Sequence, residues 1–386
     1  MTRLRGITWD HPRGIDPLRV ASKLFSQSDD TDVTWNARPL RAFEDLPVEA
    51  LAERYDLIAI DHPGIGDARA AGALLPLDGL LTSSDLADRA ADSAGPSHES
   101  YTWHGEQWAL AVDAACMVTA YRSDLADAPP TSWAEFAAYA ASIGRDKVAI
   151  AANPTHMFCT FLSLCEAFAV PNTPRLGAQP AWWTEDGFDP AVAAGAIDQL
   201  REVLARSSAG SLRSDPIAVL DRMAAGDVAY APLLFGYVTY SLQRAGATPV
   251  TFVDAPLGPD GQVGTLTGGV GLAVSSQSEH PAEAARFALF ATARESQRGL
   301  IAAAGGQPAR RSAWQNASTN ARAGDFFVAT LSTMESSFLR PRMVGYPRFQ
   351  ARGGEALHAL VVEGASTVRI IDELSDLWRS LVVVRW

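Results

Sequence analysis

The tripeptide Asp-His-Pro occurs twice in the sequence, beginning at Asp10 and at Asp61. Each copy directly follows a segment with the composition of a strand, and turn residues come after it. His11 and His62 are therefore expected at the carboxyl ends of two strands, where they face one cleft together with the two aspartates. An imidazole that titrates near neutral pH beside a carboxylate is suited to general acid–base catalysis. A structural role in capping or ion pairing, or hydrogen bonding to a ligand, fits the same pattern.

A third histidine, His156, follows another short strand-like segment at residues 148–152. It lies next to Thr155, where an apolar helix is expected to begin. Backbone N–H groups at such a helix N-terminus favour an anionic or strongly polar ligand group. The three histidines lack the short spacings of a metal site, and the sequence has no nucleotide-binding fingerprint. We therefore expect neither a metal nor a cofactor.

Other residues near these loops have side chains suited to a polar ligand. A guanidinium can bind an anionic group through two hydrogen bonds, and a flat aromatic ring can stack on a sugar. An aspartate inside a strand is costly unless it is paired or touches a ligand, and glycine lets the backbone approach a ligand closely. Core, loop or turn roles are the structural alternatives. The candidate ligand-binding residues are Trp9, Asp10, His11, Arg13, Asp61, His62, Asp113, Thr155, His156, Gly268 and Gly269.

The chain has 386 residues, more than one hydrophobic core usually supports, which predicts two domains. Its 47% of hydrophobic and 20% of charged residues are typical of a folded globular protein. A formal net charge of −12 without a basic run argues against nucleic acid or anionic lipid as a partner. The N-terminal residues do not read as a secretory leader, which predicts a cytoplasmic protein, or an extracytoplasmic one if a leader has been removed.

Strand-like and helical segments alternate along the chain, which indicates an α/β fold. Residues 4–9, 33–37 and 55–60 are expected to be strands, and the last has the unbroken apolar character of a strand buried in a parallel sheet. A helix is expected at residues 17–26. Later helices are expected at residues 191–206, 238–245, 321–332 and 353–362.

Several segments resemble extracellular solute-binding proteins of family 1, which serve carbohydrate ABC importers. Residues 129–136, Pro-Pro-Thr-Ser-Trp-Ala-Glu-Phe, resemble a helix start of that family, and residues 108–125 are similar to its hinge strand. The longest similarity contains Ala-Pro-Leu-Gly-Pro-Asp-Gly at residues 255–261, Gly-Gly-Val-Gly-Leu-Ala-Val at 268–274 and Gly-Gly-Gln-Pro-Ala-Arg at 305–310.

The resemblance implies a two-lobed α/β fold of the type II periplasmic-binding-protein kind. Each lobe would be a sheet flanked by helices, and the ligand would lie in the cleft between the lobes. The first lobe would comprise residues 1–115 plus 255–315, and the second residues 116–254 plus 316–386. The resemblance also places Tyr237 at the cleft and implies a monomer. The apparent lack of a leader is a departure from the family.

Two hypotheses about function follow from these observations, and a third remains open. The leading hypothesis is a solute-binding protein that encloses a small polar organic ligand, a saccharide or polyol-like compound, for an ABC permease. The alternative is an intracellular enzyme on the same fold that performs cofactor-free dehydration or isomerisation, with His11 and His62 as acid and base. A cytoplasmic ligand sensor is the third.

Overall fold

The computed structural model describes residues 1–39, 48–169, 180–243 and 246–383. Within these ranges, strands and helices alternate along much of the chain, so the α/β prediction is confirmed. The strands are β1 (Thr2–Trp9), β2 (Thr31–Arg38), β3 (Leu57–Ile60), β4 (Leu74–Leu75), β5 (Thr102–Trp103), β6 (Glu106–Gln107), β7 (Leu110–Tyr121), β8 (Trp183–Thr184), β9 (Gly187–Phe188), β10 (Tyr230–Phe235), β11 (Thr251–Val253) and β12 (Thr267–Ser275).

Helices of very different length connect and cover these strands. The α-helices are α1 (Pro12–Phe25), α2 (Val48–Ala52), α3 (Ile65–Ala70), α4 (Ser83–Ala91), α5 (Trp133–Ile143), α6 (Pro154–Phe168), α7 (Pro190–Ala205), α8 (Pro216–Ala225), α9 (Pro281–Ala291), α10 (Arg311–Trp314), α11 (Ala317–Arg322), α12 (Phe326–Ala329), α13 (Leu331–Ser336), α14 (Tyr346–Glu363) and α15 (Thr367–Leu381). In the described ranges, no helix is both long enough and apolar enough to cross a membrane.

The strand order of the main sheet is β10-β7-β12-β3-β1-β2, with β11 also paired to β7 and β4 to β12. β1 is parallel to β2 and β3, and α1 connects the first two strands. β12 runs antiparallel to β3 and to the first part of β7. The last part of β7 pairs instead with β10 and β11. β7 is therefore shared between two groups of strands, and the sheet changes partners along its length.

The buried hydrophobic residues also form separate cores. One core lies around β1, β3, α1 and α9 and includes Leu4, Leu57 and Phe287. Another lies around α6, α7, α14 and α15 and includes Phe158 and Trp378. The domain boundaries expected from the sequence remain a prediction.

Helix α1 begins at Pro12, five residues before the predicted start at residue 17. Proline is well suited to the first turn of a helix because its fixed φ is already helical and its missing N–H has no partner there. The side chain of His11 caps this helix by accepting a hydrogen bond from the backbone N–H of Arg13. The segment from the first Asp-His-Pro onward is thus the start of a helix and not an open loop.

Four other predicted elements differ from the structure. Residues 148–152 form only an isolated bridge at Val148, and the predicted helix 321–332 is divided among α11, α12 and α13. The helix expected at 353–362 begins earlier, at Tyr346. The helix expected at 238–245 is a single turn at Val238–Tyr240, and residues 244–245 of that prediction lie outside the described ranges.

Candidate functional site

A pocket lies where loops from both groups of strands meet beside β7 and β12. Its empty volume is about 620 Å³, part of it open to solvent. Several lining residues follow the carboxyl ends of strands, which is the usual place for a ligand in an open α/β sheet. The lining residues are Trp9, Arg13, Asp61, Asp113, Ala115, Thr155, His156, Cys159, Phe235, Tyr237, Gly268, Gly269, Val270, Arg340 and Gln350.

The first charged pair in the pocket is formed by Arg13 and Asp113. Nε of Arg13 donates to one carboxylate oxygen at 2.9 Å, and Nη2 donates to the other at 2.5 Å. Nη1 donates to the backbone carbonyl of Gly236 at 3.0 Å, and both side chains are almost fully buried. This pair joins the start of α1 to the middle of β7. Because every charge in it is matched, the pair holds polar atoms in the pocket without adding net charge.

The second charged pair crosses the pocket from Asp61, which follows β3, to Arg340, which precedes α14. Nη2 of Arg340 lies 2.9 and 2.8 Å from the two carboxylate oxygens, and Nη1 donates to Oε1 of Gln350 at 3.0 Å. Burial by itself raises the pKa of Asp61, but the charge of Arg340 and hydrogen bonds from Arg340 and His62 outweigh it and lower the pKa to about 2. Asp61 is therefore a carboxylate at neutral pH.

Arg340 belongs to the segment of residues 338–345, which we call the strap. The strap pairs with the start of β12 and the chain just before it through hydrogen bonds between Phe338 and both Thr267 and Thr265. Nη1 of Arg342 donates to the carbonyls of Glu99 and Thr102 at 2.6 and 2.9 Å, which joins the strap to the segment before β7. The strap is therefore held to β12, to the turn after β3 and to the segment before β7.

Aromatic rings and two glycines shape the inner surface. The guanidinium carbon of Arg13 lies 4.6 Å from the ring centroid of Tyr237, within the range of a cation–π contact. A Cβ on Gly269, whose φ is +120°, would lie 2.4 Å from the carbonyl oxygen of Asp113. A Cβ on Gly268 would lie 2.7 Å from the ring of Phe235. Glycine at both positions lets β12 approach β7 and the Phe235 ring closely beside the pocket.

Helix α6 presents its first turn to the pocket through Thr155 and His156. Asn153 caps this helix, and its side-chain oxygen accepts from the backbone N–H of His156 at 3.0 Å and lies 2.9 Å from Nδ1 of the same residue. Burial lowers the pKa of His156 to about 4. The imidazole is therefore neutral at physiological pH, so it contributes hydrogen-bonding capacity and no charge.

Three of the predicted residues do not line the pocket. Asp10 is exposed at the end of β1, and His11 caps α1 with its ring centroid 4.9 Å from that of Tyr237. His62 is completely buried behind Asp61, with Nδ1 3.3 Å from a carboxylate oxygen of that residue. Burial, opposed in part by Asp61, lowers the pKa of His62 to about 4. The expectation that both Asp-His pairs face one cleft is therefore not met, and the geometry does not support an acid–base pair of His11 and His62.

The structure adds residues that sequence reasoning did not identify, namely Arg340, Gln350, Phe235, Cys159, Ala115 and Val270. Arg340 is the most important of these because it carries charge into the pocket. It follows no strand and stands in no recognisable motif, so only its contact with Asp61 reveals it. Throughout the described ranges, no group of three or more His, Cys, Asp or Glu side chains is arranged to hold a metal ion.

The profile of a bacterial extracellular solute-binding protein family matches residues 44–324. Because this match spans more than half of the chain, the protein belongs to the bacterial extracellular solute-binding protein family. No curated protein matches the sequence. The family is extracellular by its description, and the cytoplasmic placement expected from the N-terminus stays a prediction.

Solved structures share this fold over nearly the whole chain. Maltose-bound MalE3 of T. maritima is 18% identical with a TM-score of 0.79, and the match covers 98% of this chain and 100% of that one. The ABC transporter solute-binding protein of Agrobacterium radiobacter K84 in complex with ribitol is 18% identical with a TM-score of 0.79 and 98% coverage of each chain. That of Agrobacterium vitis S4 with bound D-mannitol is 17% identical, with a TM-score of 0.77 and 98% coverage of each chain. These matches confirm the predicted two-lobed fold.

Proposed function

We propose that this protein is the solute-binding component of an ABC importer and that it encloses a neutral saccharide or polyol in the pocket. The observation that carries the proposal is the arrangement of two compensated charged pairs, Arg13 with Asp113 and Asp61 with Arg340, around one small pocket. The structures with bound maltose, ribitol and D-mannitol support it, since they have the same fold.

The charges of the pocket favour an uncharged ligand that is rich in hydroxyl groups. Two carboxylates and two guanidinium groups sum to zero, and His156 is neutral at physiological pH. Carboxylates only accept hydrogen bonds and guanidinium groups only donate them, whereas a hydroxyl group can do both. A polyhydroxy compound can therefore satisfy both kinds of group at once. An anionic ligand would instead meet the carboxylates of Asp61 and Asp113.

Closure of the lobes around the solute is the proposed mechanism. We keep the lobe boundaries expected from the sequence, residues 1–115 plus 255–315 and residues 116–254 plus 316–386. β7 and β12 would then be the strands about which the lobes rotate, as in other hinge motions around a ligand. A solute that contacts residues of both lobes binds the closed form more tightly than the open form. Its binding therefore shifts the protein towards the closed form.

An importer component works outside the cytoplasm, so we propose an extracytoplasmic location and an ABC permease as partner. We also propose that the protein is a monomer, as the resemblance implies. A cytoplasmic sensor or enzyme would have no use for a permease. Co-purification with a permease in membranes of the native host therefore separates these possibilities.

The proposal is tested by titrating the protein with maltose, D-mannitol and ribitol in a calorimeter, with D-ribonate as a matched ligand. Ribonate differs from ribitol by one carboxylate in place of an alcohol. We expect at least one neutral compound to bind and ribonate to bind no more tightly than ribitol. Preferential binding of ribonate, or no binding by any of the three neutral compounds, would contradict the proposal.

A pair of variants links that binding to the pocket. Asp113→Asn removes the charge that holds Arg13, and we expect it to weaken binding of the neutral solute by about tenfold or more, as is typical for hydrogen bonds to charged groups. The matched control is Asp10→Asn, an identical change at an exposed aspartate outside the pocket, which should bind as the wild type does. Equal affinities for the two variants would place the solute elsewhere.

A further inference from the structure

The described residues do not satisfy all the hydrogen-bond donors of Arg340. Its Nη2 group faces the carboxylate of Asp61, and its Nη1 group donates to Gln350. Its Nε atom is buried and has no hydrogen-bond partner within the described residues. The side chain is only 4% exposed and lines the pocket.

An unused donor on a buried charged group is unfavourable, because the group has lost its water without gaining a replacement. Buried polar atoms are nearly always paired in proteins, and an exception requires an explanation. The other guanidinium of the pocket provides a comparison, since Nε, Nη1 and Nη2 of Arg13 are all engaged by protein atoms. The two arginines therefore differ: every guanidinium nitrogen of Arg13 has a protein partner, whereas Nε of Arg340 has none among the described residues.

We propose that Arg340 is a ligand-binding and specificity-determining residue, whose Nε donates to an oxygen atom of the bound solute while Nη2 holds Asp61 across the pocket. The proposal rests on the function proposed above and names the residue by which the strap recognises the solute. One side chain thus contacts the opposite wall of the pocket and the solute together.

The strap also contains a matched control. Arg342 is two residues away and 6% exposed, and its Nε likewise has no partner among the described residues. It also bridges from the strap to a part of the chain distant in sequence, through the carbonyls of Glu99 and Thr102. It does not line the pocket. Arg340 and Arg342 therefore share the bridging contact and differ in access to the solute.

The experiment compares Arg340→Lys with Arg342→Lys, and measures the dissociation constants of maltose, D-mannitol and ribitol for each. A change in the ease of closure alters the affinity for every solute by the same factor, because the same conformational equilibrium enters each one. The loss of a direct hydrogen bond instead lowers the affinity for each solute by a different factor, because different solutes place different oxygen atoms at Nε. A purely structural role of Arg340 would therefore leave the ratio of affinities between two solutes unchanged.

For Arg340→Lys we expect the best-bound solute to weaken about tenfold or more and the ratios of affinities to change. For Arg342→Lys we expect the ratios to remain those of the wild type. If both variants lower all affinities by a common factor, or neither changes them, the proposal for Arg340 is wrong and the binding function stands. If the wild type binds none of the three solutes, the proposed function fails, and the proposal for Arg340 fails with it.

A crystal structure of the wild-type protein with the bound solute gives a second reading that does not depend on a variant folding. We expect a solute oxygen within hydrogen-bond distance of Nε of Arg340. A solute bound in the pocket without any oxygen at that distance would overturn the assignment, even if Arg340→Lys proved too unstable to measure.

Discussion

The two Asp-His-Pro turns share three residue types and have very different surroundings. After β1, Asp10 is exposed and His11 caps α1, so Arg13 is the charged residue that enters the pocket. After β3, Asp61 itself enters the pocket and His62 is fully buried behind it. The first tripeptide is thus followed by a cation that enters the pocket, whereas the second itself supplies an anion.

The position of each strand in the sheet explains this difference. β3 lies between β1 and β12, and Asp61, which follows β3, contacts Arg340 of the strap. β1 lies between β3 and the edge strand β2, and the backbone N–H of Asp10 bonds to the carbonyl of Arg38 at the end of β2. Both copies of the motif thus lie at the start of helical structure, and the position of each strand in the sheet decides which charged side chain enters the pocket.

Removal of the aspartate carboxylate is expected to give the largest difference in stability between the two Asp-His-Pro segments. Asp61→Ala leaves the guanidinium of Arg340 buried without its counter-ion, and we expect this to lower the free energy of unfolding by about 4 kcal/mol, as for other broken buried pairs. Asp10→Ala removes an exposed carboxylate and should change the free energy of unfolding by about 0.5 kcal/mol or less. Urea denaturation of both variants measures the contrast. Similar losses for the two variants would show that the Asp61–Arg340 pair is not buried in solution.

The buried imidazole of His62 predicts a dependence of stability on pH. Burial lowers the pKa of His62 from 6.5 to about 4, so the unfolded chain takes up a proton at this site at a higher pH than the folded one. The associated stability is present above pH 6.5 and is lost as the pH falls towards 4, by an amount on the order of 3 kcal/mol. In His62→Gln, the difference in unfolding free energy between pH 7 and pH 4 should be smaller by about that amount. Parallel wild-type and variant curves over this range would contradict the buried, neutral imidazole.

The smallest expected effect concerns the cap of α1. His11→Ala removes the side chain that accepts from the backbone N–H of Arg13, and the loss of a helix cap costs about 1 kcal/mol. His11→Asn supplies an amide oxygen that is favoured at this position, and should recover most of the stability. Thermal unfolding of the two variants tests the assignment. If alanine and asparagine were equally stable, His11 would have a role other than capping.

Sequence reasoning found the parts of the site that follow directly from local pattern. Asp113 is found because a charge inside a strand requires a partner or a ligand, and Asp61 because it follows a strand, where a ligand of an open α/β sheet is expected. Capping is among the roles that the sequence suggests for His11, but the helix start expected at residue 17 does not place the cap there. Pro12 is the signal for the actual start, since proline is typical of the first helical residue. The α/β fold itself followed from the alternation of elements and from the resemblance.

Arg340 could not have been found in this way. Its role depends on a contact with Asp61, which is distant in sequence, and neither residue type nor spacing near Arg340 marks it. The burial of His62 was hidden for a similar reason, because the strap and the wall around Tyr101 that enclose it come from elsewhere in the chain. The contact of Arg340 with Asp61 and the burial of His62 both depend on long-range packing, about which a single sequence contains little information.

The order of the strands also has a consequence for synthesis of the chain. β3 is completed on one side by β12, which lies far downstream, and all four residues of β3 are buried in the finished protein. A growing chain therefore displays an apolar, unpaired strand edge until residue 275 has left the ribosome, and such an edge readily pairs with other chains. Fragments that end before β12 are accordingly expected to aggregate, and the nascent chain is expected to require a chaperone.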